Sequence, residues 1–584
     1  MSQRDKLRDT FRLTEATHSD ILDELESLLR LYNLSPTDLK FKWEAFSLNL
    51  RLEKVEMTVD LIRQLKINLQ REFEQQLEQK RRDQAKVSNP TAMDMGDYDM
   101  QVDEGESLED FISKTMARPN ARSTPQSRTP QNAKSMRSIG PSRTSTSFAQ
   151  RMAGNTIEEQ CNPQLPLRQP ITDSTTKRAK VDVVQSKSDN YRYMFEKIRD
   201  KADSLDERIE YIAEQIEKHY QLEGGFANPS RAHQDKIVAV GRICCDASEG
   251  KLNPQSIVLE TSRDLGMGKR VQMDIRRLEQ YSLFPGQIVG VEGVNNTGRL
   301  LVAEKLLMPP LPPAMDRMDD DSSSMTEPID VIVSAGPYTF DDDLAYQPLE
   351  RLIETCIEQK PDVVVLMGPF VSENHPDIVN ATMDLTPEEI LQKQVTPHLS
   401  KLAEQCPGTQ LVIIPHANDI IHEYPVIPQP PLPQSVLKLD NVLTLSNPAI
   451  IDINGTTLAL GNTDILMNIS REEISNNSSK DRLPRLLSHL VRQQSFYPLF
   501  PYAATDCIDS EQLPELQIPI KPDVIVAPSQ LKIFAKVMDE VVCVNPGYLT
   551  KRQNGGTYAR CTFHSSQGEA KASHERIRVD LTKL

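Results

Sequence analysis

Loops that follow apolar, β-branched runs are where α/β proteins keep their chemistry, because a covered sheet leaves its strand ends open to a substrate. Four such runs end as "VIVSAGP" (331–337), "VVVLMGPF" (363–370), "LVIIPHAND" (411–419) and "DVIVAPSQ" (523–530). The second and third loops gather His375, His416, Asp419, His422 and Glu423, residue types that can ligate a metal or move a proton. One adventitious ion is the most this scattered set would hold. In two of the loops the glycine that ends the strand is followed by proline, Pro337 and Pro369, where no side chain can reach a metal. No G-x-S-x-G, G-x-x-x-x-G-K-[ST], H-E-x-x-H or zinc-ribbon spacing occurs. The eight cysteines are scattered without a C-x-x-C, and adjacent Cys244 and Cys245 are poorly placed to chelate one zinc. They read as reduced, mostly buried thiols, and no cofactor is expected.

The elements that must position these loops follow from composition and period. At 584 residues the chain exceeds one core, and 38% hydrophobic content with 40 prolines leaves room for linkers. No run reaches the ~18 apolar residues needed to cross a bilayer. The charged start "MSQRDKLRDTF" is unlike a signal peptide, so an intracellular chain without a membrane partner is expected. The net charge of −17 argues against a tight grip on duplex DNA and favours protein partners.

Residues 1–80 show helical spacing (Ile21, Leu22, Leu25, Leu28 and Leu29, then Val55, Val59, Ile62, Leu69 and Phe73), with Ser35 and Pro36 opening a helix between them. They predict an N-terminal helical docking bundle around Trp43. Residues 81–188 are polar and predict a disordered regulatory linker. It holds "GESLEDFISKTMA", which could fold onto a partner. It also holds Thr124 and Thr129, each before proline and open to proline-directed phosphorylation, and the basic stretch Lys177, Arg178 and Lys180, which resembles a nuclear import signal.

Residues 189–226 predict one amphipathic helix from Tyr191 through Ile216, ending at Gly224-Gly225. Five short strands within 227–310 predict an OB-type β-barrel. They carry no aromatic on which a base could stack, which favours protein docking over single-strand binding. Residues 311–327 read as a linker. Residues 328–584 read as an α/β domain of alternating strands and helices.

The strand-end loops resemble those of calcineurin-like metallophosphoesterases, which follow successive strands with D-x-H, G-D-x-x-D, G-N-H-D/E and G-H-x-H and hold two metals that activate water against phosphate. The positions matching those ligands are Ala335 and Pro337, Pro369 and Ser372, Ala417 and Asn418, and Pro528 and Gln530. Alanine and proline have no ligating atom, and neutral serine, asparagine and glutamine are weak substitutes. The resemblance therefore implies a phosphoesterase-like domain lacking its metal ligands, with no catalytic residue and no metal.

A barrel followed by such a domain resembles the B subunits of eukaryotic replicative DNA polymerases. The stretches "YSLFPGQ" (281–287), "GPYT" (336–339), "GPF" (368–370), "YPLFP" (497–501) and "NPGYLTKRQNGGTYAR" (545–560) look like the alpha branch of that family. The resemblance implies a nuclear, non-catalytic scaffold. It would clamp the C-terminal zinc-bearing region of the DNA polymerase alpha catalytic subunit and meet the primase small and large subunits through the complex. Other replication factors would dock at the N-terminal bundle, and DNA contact would be mainly indirect. An epsilon-type B subunit, a divergent phosphoesterase and a single-strand-binding module are the competing readings. No surface residue is assigned to a partner from sequence.

Overall fold

The computed structural model describes residues 154–584, apart from 171–175, 188–189, 248–249, 316–326, 440, 479–480 and 566–571, together with positions 25, 39, 40, 42 and 43. The chain divides into two compact units, Met1–Arg137 and Ser138–Leu584. In the first, Leu25 and Leu39 are helical and buried, and Lys40, Lys42 and Trp43 have helical backbone. The rest of the expected bundle, "GESLEDFISKTMA", Thr124 and Thr129 lie outside the described residues.

The described part of the second unit opens with two strands, β1 (Thr156–Cys161) and β2 (Val181–Ser186). Both fall within 81–188, so the expectation of a disordered linker through that whole span is corrected. β1 pairs antiparallel with Ile577–Lys583 and β2 with Ala449–Ile453. Each lies at the edge of its sheet, where the ladder supplies stability and the outward face needs no apolar residue. "TIEEQC" and "VDVVQS" therefore look polar and unstructured in isolation. Between the strands, Arg168 forms a buried ion pair with Asp362, and the Arg578 guanidinium donates to the carbonyls of Pro163 (3.1 Å) and Leu165 (2.6 Å).

The expected helix from Tyr191 is also shortened. Residues 190–197 are a non-helical strap: the Tyr191 hydroxyl donates to the Pro428 carbonyl (2.6 Å) and the Met194 N–H to Asp509 Oδ2 (2.8 Å). Helix α1 (Ile198–Tyr220) then runs until Gln221 takes a left-handed φ of 51°, ahead of the glycine pair. Its stripe of Ile209, Ile212, Ala213 and Ile216 packs on Val240, Ile288 and Leu307 of the barrel.

The barrel strands are β3 (Ile237–Cys245), β4 (Ile257–Glu260) and β5 (Arg270–Asp274), then, after a short β6 (Tyr281–Leu283), β7 (Ile288–Val294) and β8 (Leu300–Leu307). They close in the order β3-β4-β5-β8-β7, with β5 and β8 parallel. Alternate residues such as Ile257 and Leu259, Val271 and Met273, and Val289 and Val291 point inward together, the period-2 pattern of a strand with one buried face.

Short helices aside, the remaining elements are β9 (Ile329–Ala335), α2 (Gln347–Gln359), β10 (Val363–Met367), α3 (Thr396–Gln405), β11 (Gln410–Ile414), β12 (Val442–Thr444), β13 (Ala449–Ile453) and β14 (Thr456–Leu460). They continue with α4 (Ile465–Glu472), β15 (Ile474–Asn476), α5 (Arg482–Arg492), β16 (Val524–Val526), β17 (Phe534–Met538), β18 (Val541–Asn545), β19 (Thr550–Lys551), β20 (Asn554–Gly555), β21 (Thr557–Phe563) and β22 (Ile577–Lys583). Apart from β15 and the β19–β20 ribbon, their strands form not one covered sheet but two. A 7-stranded sheet runs β1-β22-β21-β9-β10-β11-β12, and a 6-stranded sheet runs β17-β18-β16-β14-β13-β2.

The two sheets pack face to face. Val363, Val365 and Met367 of β10 join Ile451, Leu458, Val524 and Val542 in the core between them. The alternate residues Val364 and Leu366 face outward onto α2 and α3, packing with Leu352, Ile353, Leu399 and Leu402. Helices α4 and α5 cover the second sheet with Leu466, Ile469, Leu487 and Leu490. Strands buried on both faces explain the unbroken apolar runs. β9, β10 and β11 run parallel, so their C-terminal ends lie side by side and bring the GP and PHAND loops together.

Candidate functional site

Where the three parallel strands end, the backbone turns are close-packed. Gly336 and Gly368 each precede a cis-proline. A Cβ on Gly336 would lie 2.2 Å from the Pro369 carbonyl oxygen, and one on Gly368 would lie 2.8 Å from Asp419 Oδ2. These glycines are required by close approach of neighbouring loops. Tyr338 and Phe370 stack beneath them at 5.3 Å, and the buried Tyr338 hydroxyl lies 2.9 Å from the Met367 carbonyl it donates to.

The polar groups left in these loops are turned onto backbone. Asp419 is buried, and its two carboxylate oxygens accept from the N–H groups of Phe370 (2.7 Å) and Val371 (2.9 Å). Burial raises its pKa from 3.8 to about 7, against the pull of those two bonds. His416 Nδ1 accepts from the Asn418 N–H at 3.0 Å, and burial lowers the ring's pKa to about 4. His375 caps the short helix that follows the GPF loop: Nδ1 accepts from the Asp377 N–H (3.2 Å), while Nε2 lies 2.9 Å from the Phe340 carbonyl. His422 does the same between the Tyr424 N–H (3.0 Å) and the Pro430 carbonyl (2.9 Å). Asn462 Nδ2 ties the carbonyls of Gly368 (3.1 Å) and Pro415 (2.9 Å).

Ala335 and Pro369 are buried, Pro337, Ser372, Ala417 and Asn418 half-buried, Pro528 buried and Gln530 exposed. Gln530 contributes only its backbone N–H, to Asp464 Oδ2 at 3.0 Å. Among the described residues no three His, Cys, Asp or Glu side chains form a group that could hold a metal. The donor set does not fit a dinuclear centre: its carboxylate and imidazoles serve as hydrogen-bonded latches between loops.

A second polar centre joins barrel and α/β domain. β6 leaves the barrel to pair antiparallel with β15. Next to it, Glu473 is buried and surrounded by Arg485 Nε (2.9 Å), Arg482 Nε (3.2 Å), His489 Nε2 (3.1 Å) and the Ser282 hydroxyl (2.5 Å). Burial alone would raise its pKa, but bonds from His489, Arg485 and Ser282 hold it well below the usual carboxylate range. Gln493 mimics a strand residue, accepting from the Ile288 N–H (2.8 Å) and donating to the Ile288 carbonyl (2.9 Å). Gly286, at φ 95°, lets the barrel backbone come so near the other domain that a Cβ would sit 2.2 Å from the Phe500 nitrogen. The stretches "YSLFPGQ" and "YPLFP" therefore meet.

The barrel and the α/β domain each match a known family model. Residues 202–309 match the OB domain of the DNA polymerase alpha B subunit, and residues 331–536 match the B subunit of DNA polymerases alpha and epsilon. The B subunit of DNA polymerase alpha from Schizosaccharomyces pombe is 31% identical over 572 residues, covering 93% of this chain and 94% of that one. This chain belongs to the family of DNA polymerase alpha B subunits. The family's barrel model begins inside α1, in line with the packing of that helix on β3 and β7.

The DNA polymerase alpha B subunit of Rattus norvegicus is 37% identical over 377 residues, which span 64% of this chain and 62% of the rat protein. The Drosophila melanogaster member is 25% identical over 92% of this chain and 93% of its own length. Among solved structures, an archaeal phosphodiesterase aligns with 44% of this chain and 100% of its own at 10% identity and TM-score 0.23, too weak a likeness to inform fold or chemistry.

Sequence reading missed the Glu473, His489, Gln493 and Ser282 centre of this family member. The one available signal was polar His489 within the apolar run of Leu486, Leu487, Leu490 and Val491, with Gln493 and Gln494 one turn further on. The basic stretch Lys177, Arg178 and Lys180 is ordered, not part of a disordered segment. Arg178 pairs with Glu327 at 2.9 Å, and the Lys180 N–H donates to Asn454 Oδ1 at 2.6 Å, so the stretch is the ordered lead-in to β2. The Lys177 and Lys180 side chains stay exposed.

Proposed function

We propose that this chain is the non-catalytic accessory and scaffold component of a DNA polymerase alpha–primase complex. The observation that carries this reading is 31% identity sustained through 93% of the chain to a DNA polymerase alpha B subunit. The barrel model named for the alpha polymerase favours alpha over epsilon. Barrel and α/β domain act as one rigid clamp for the C-terminal zinc-bearing region of the catalytic subunit. The β6–β15 pairing, the Gln493 bridge and the Glu473 centre support that rigidity, because each would have to break for the domains to separate. The zinc ligands belong to the partner, and the primase subunits join through the complex.

The α/β domain is an inactive phosphoesterase-like scaffold. Supporting this is the chemistry at Ala335, Pro337, Pro369, Ser372, Ala417, Asn418, Pro528 and Gln530, together with the commitment of Asp419 and the neighbouring histidines to backbone. The N-terminal helical bundle tethers replication factors through residues up to the start of β1, which raises local concentration when the tether spans both sites. Thr124 and Thr129 are its phosphorylation sites, and the complex works in the nucleus. Import through Lys177, Arg178 and Lys180 requires Arg178 to leave Glu327.

The test is affinity capture of the tagged chain from dividing cells, with partner stoichiometry measured. Recovery of the polymerase alpha catalytic subunit and both primase subunits in equal amounts is expected, together with loss of all three when 227–310 is deleted. Capture of a different polymerase would move the chain to another branch. Capture of none, with metal-dependent phosphodiesterase activity in the purified chain, would overturn the scaffold reading.

A further inference from the structure

The strap ahead of α1 gives its apolar side chains to water. Among the described residues, three of the five most exposed large apolar side chains fall within five positions: Met194 at 52%, Phe195 at 61% and Ile198 at 90%. The backbone that carries them is nevertheless fixed. The Tyr191 hydroxyl donates to the Pro428 carbonyl, and the Tyr424 hydroxyl donates back to the Tyr191 carbonyl at 2.8 Å. The Met194 N–H donates to Asp509, and Glu196 Oε2 accepts from the Ser510 N–H at 2.9 Å. The Tyr424 ring packs on both Tyr191 (5.4 Å) and Tyr193 (5.0 Å). Met194 takes a left-handed φ of 57°, which a residue with a Cβ holds only where its surroundings over-determine it. A segment pinned in this way has already lost its ordering entropy in the fold, so its exposed apolar side chains are preorganised to bind.

Charge around the patch selects the partner. Arg192, Lys197 and Arg199 are exposed at its rim, in a chain of net charge −17. Arg192 lies over the Phe195 ring, and neither it nor Lys197 has a carboxylate partner among the described residues. Arg199 reaches Asp203 only at 3.7 Å, and Asp203 is shared with Arg263. Two nearby carboxylates are already taken: Glu196 by the Ser510 N–H and Lys201, and Asp509 by the N–H groups of Met194 and Glu511. Asp200, half-buried in the first turn of α1, is the remaining acid of the segment. No side chain caps that turn, so the positive end of the helix dipole adds to the same field.

Three other occupants fit worse. A nucleobase needs a free ring face, but Arg192 takes a face of Phe195, and Tyr191 and Tyr193 pack on Tyr424. A bilayer needs an apolar face several turns long, whereas the stripe of α1 from Ile209 to Ile216 is buried on the barrel. A second copy meeting this patch about a two-fold axis would set Arg192, Lys197 and Arg199 against their own equivalents. We propose that residues 192–199 dock an acidic segment of a partner protein. Its apolar side chains cover Met194, Phe195 and Ile198, and its carboxylates meet Arg192, Lys197 and Arg199.

The experiment is fluorescence anisotropy of the full chain with a labelled amphipathic peptide of leucine and glutamate, beside a twin with lysine in place of every glutamate. The glutamate peptide is expected to bind more than about 10-fold tighter than its twin, with an affinity that falls as salt rises. Met194→Ser with Ile198→Ser, and separately Arg192→Glu with Lys197→Glu, are each expected to weaken it more than about 10-fold. Met267→Ser with Val379→Ser, a control pair of exposed apolar residues elsewhere, is expected to change it less than about twofold. Melting curves superimposable on the parent show that the exposed substitutions leave the fold intact. In dividing cells, photo-reactive benzoylphenylalanine in place of Phe195 is expected to crosslink to an acidic, apolar-anchored protein segment, identified by mass spectrometry. No preference between the twin peptides, or equal losses in test and control pairs, would overturn the proposal. Crosslinks only to nucleic acid, to lipid or to a second copy of this chain, or no crosslink, would also overturn it.

Discussion

Asp419 shows how a residue type that could do chemistry is used for structure. Its carboxylate spans the GPF and PHAND loops by accepting two backbone N–H groups, and its pKa is raised by burial from 3.8 to about 7. The unfolded chain releases this proton near 3.8, while the folded chain keeps it to about 7. The stabilising contribution is therefore complete below 3.8 and is lost as pH rises through about 7. Asp419→Asn removes that titration and leaves one of the two N–H groups facing an amide NH₂, costing about 1–3 kcal/mol. Denaturant melts across pH should show the parent's advantage over Asp419→Asn shrinking from about pH 4 to about pH 7 and level above it. A pH-independent gap would mean that burial does not shift this carboxyl.

At the scale of elements, the junction between barrel and α/β domain is set by backbone approach as much as by side chains. Gly286 has φ 95° and no space for a Cβ beside Phe500, whereas Gly455, in the β13–β14 turn, has φ 82° and nothing within 4 Å. Gly286→Ala incurs both backbone strain and overlap, about 2–4 kcal/mol, and pushes β6 away from β15. Gly455→Ala incurs the backbone term alone, about 1 kcal/mol. Thermal melts of the two variants, with hydrogen exchange over Tyr281–Leu283 and Ile474–Asn476, separate the effects. Equal destabilisation and unchanged exchange would mean that the two domains do not depend on that contact.

For the whole molecule, β1 and β2 tie the first described segment of the second unit to both large sheets. Each caps the edge of a large sheet, and together with the Arg168–Asp362 pair they hold the segment before α1 against the α/β domain. A chain beginning at residue 154 is expected to purify as a cooperative unit. One beginning at residue 190 leaves β13 and β22 as bare edges, which are templates for aggregation. Size-exclusion profiles and melts of the two truncations decide this; a soluble chain from 190 with the same melting midpoint would show the two strands to be dispensable.

The sequence by itself determined the apolar, β-branched strands, the Gly-Pro turns that end β9 and β10, the five-strand barrel and the donor-poor strand-end loops. These are local properties: a strand buried on both faces is apolar throughout, and a missing carboxylate is visible in a single letter. Tertiary structure alone decided that the strands form two sheets, that "TIEEQC" and "VDVVQS" complete their edges, and that the stretch around Tyr191 is a strap. It also decided that Gln493 reaches Ile288 across 205 positions of chain. Edge strands and interface polar groups take their stability from partners distant in sequence, so their own residues carry no periodic burial signal.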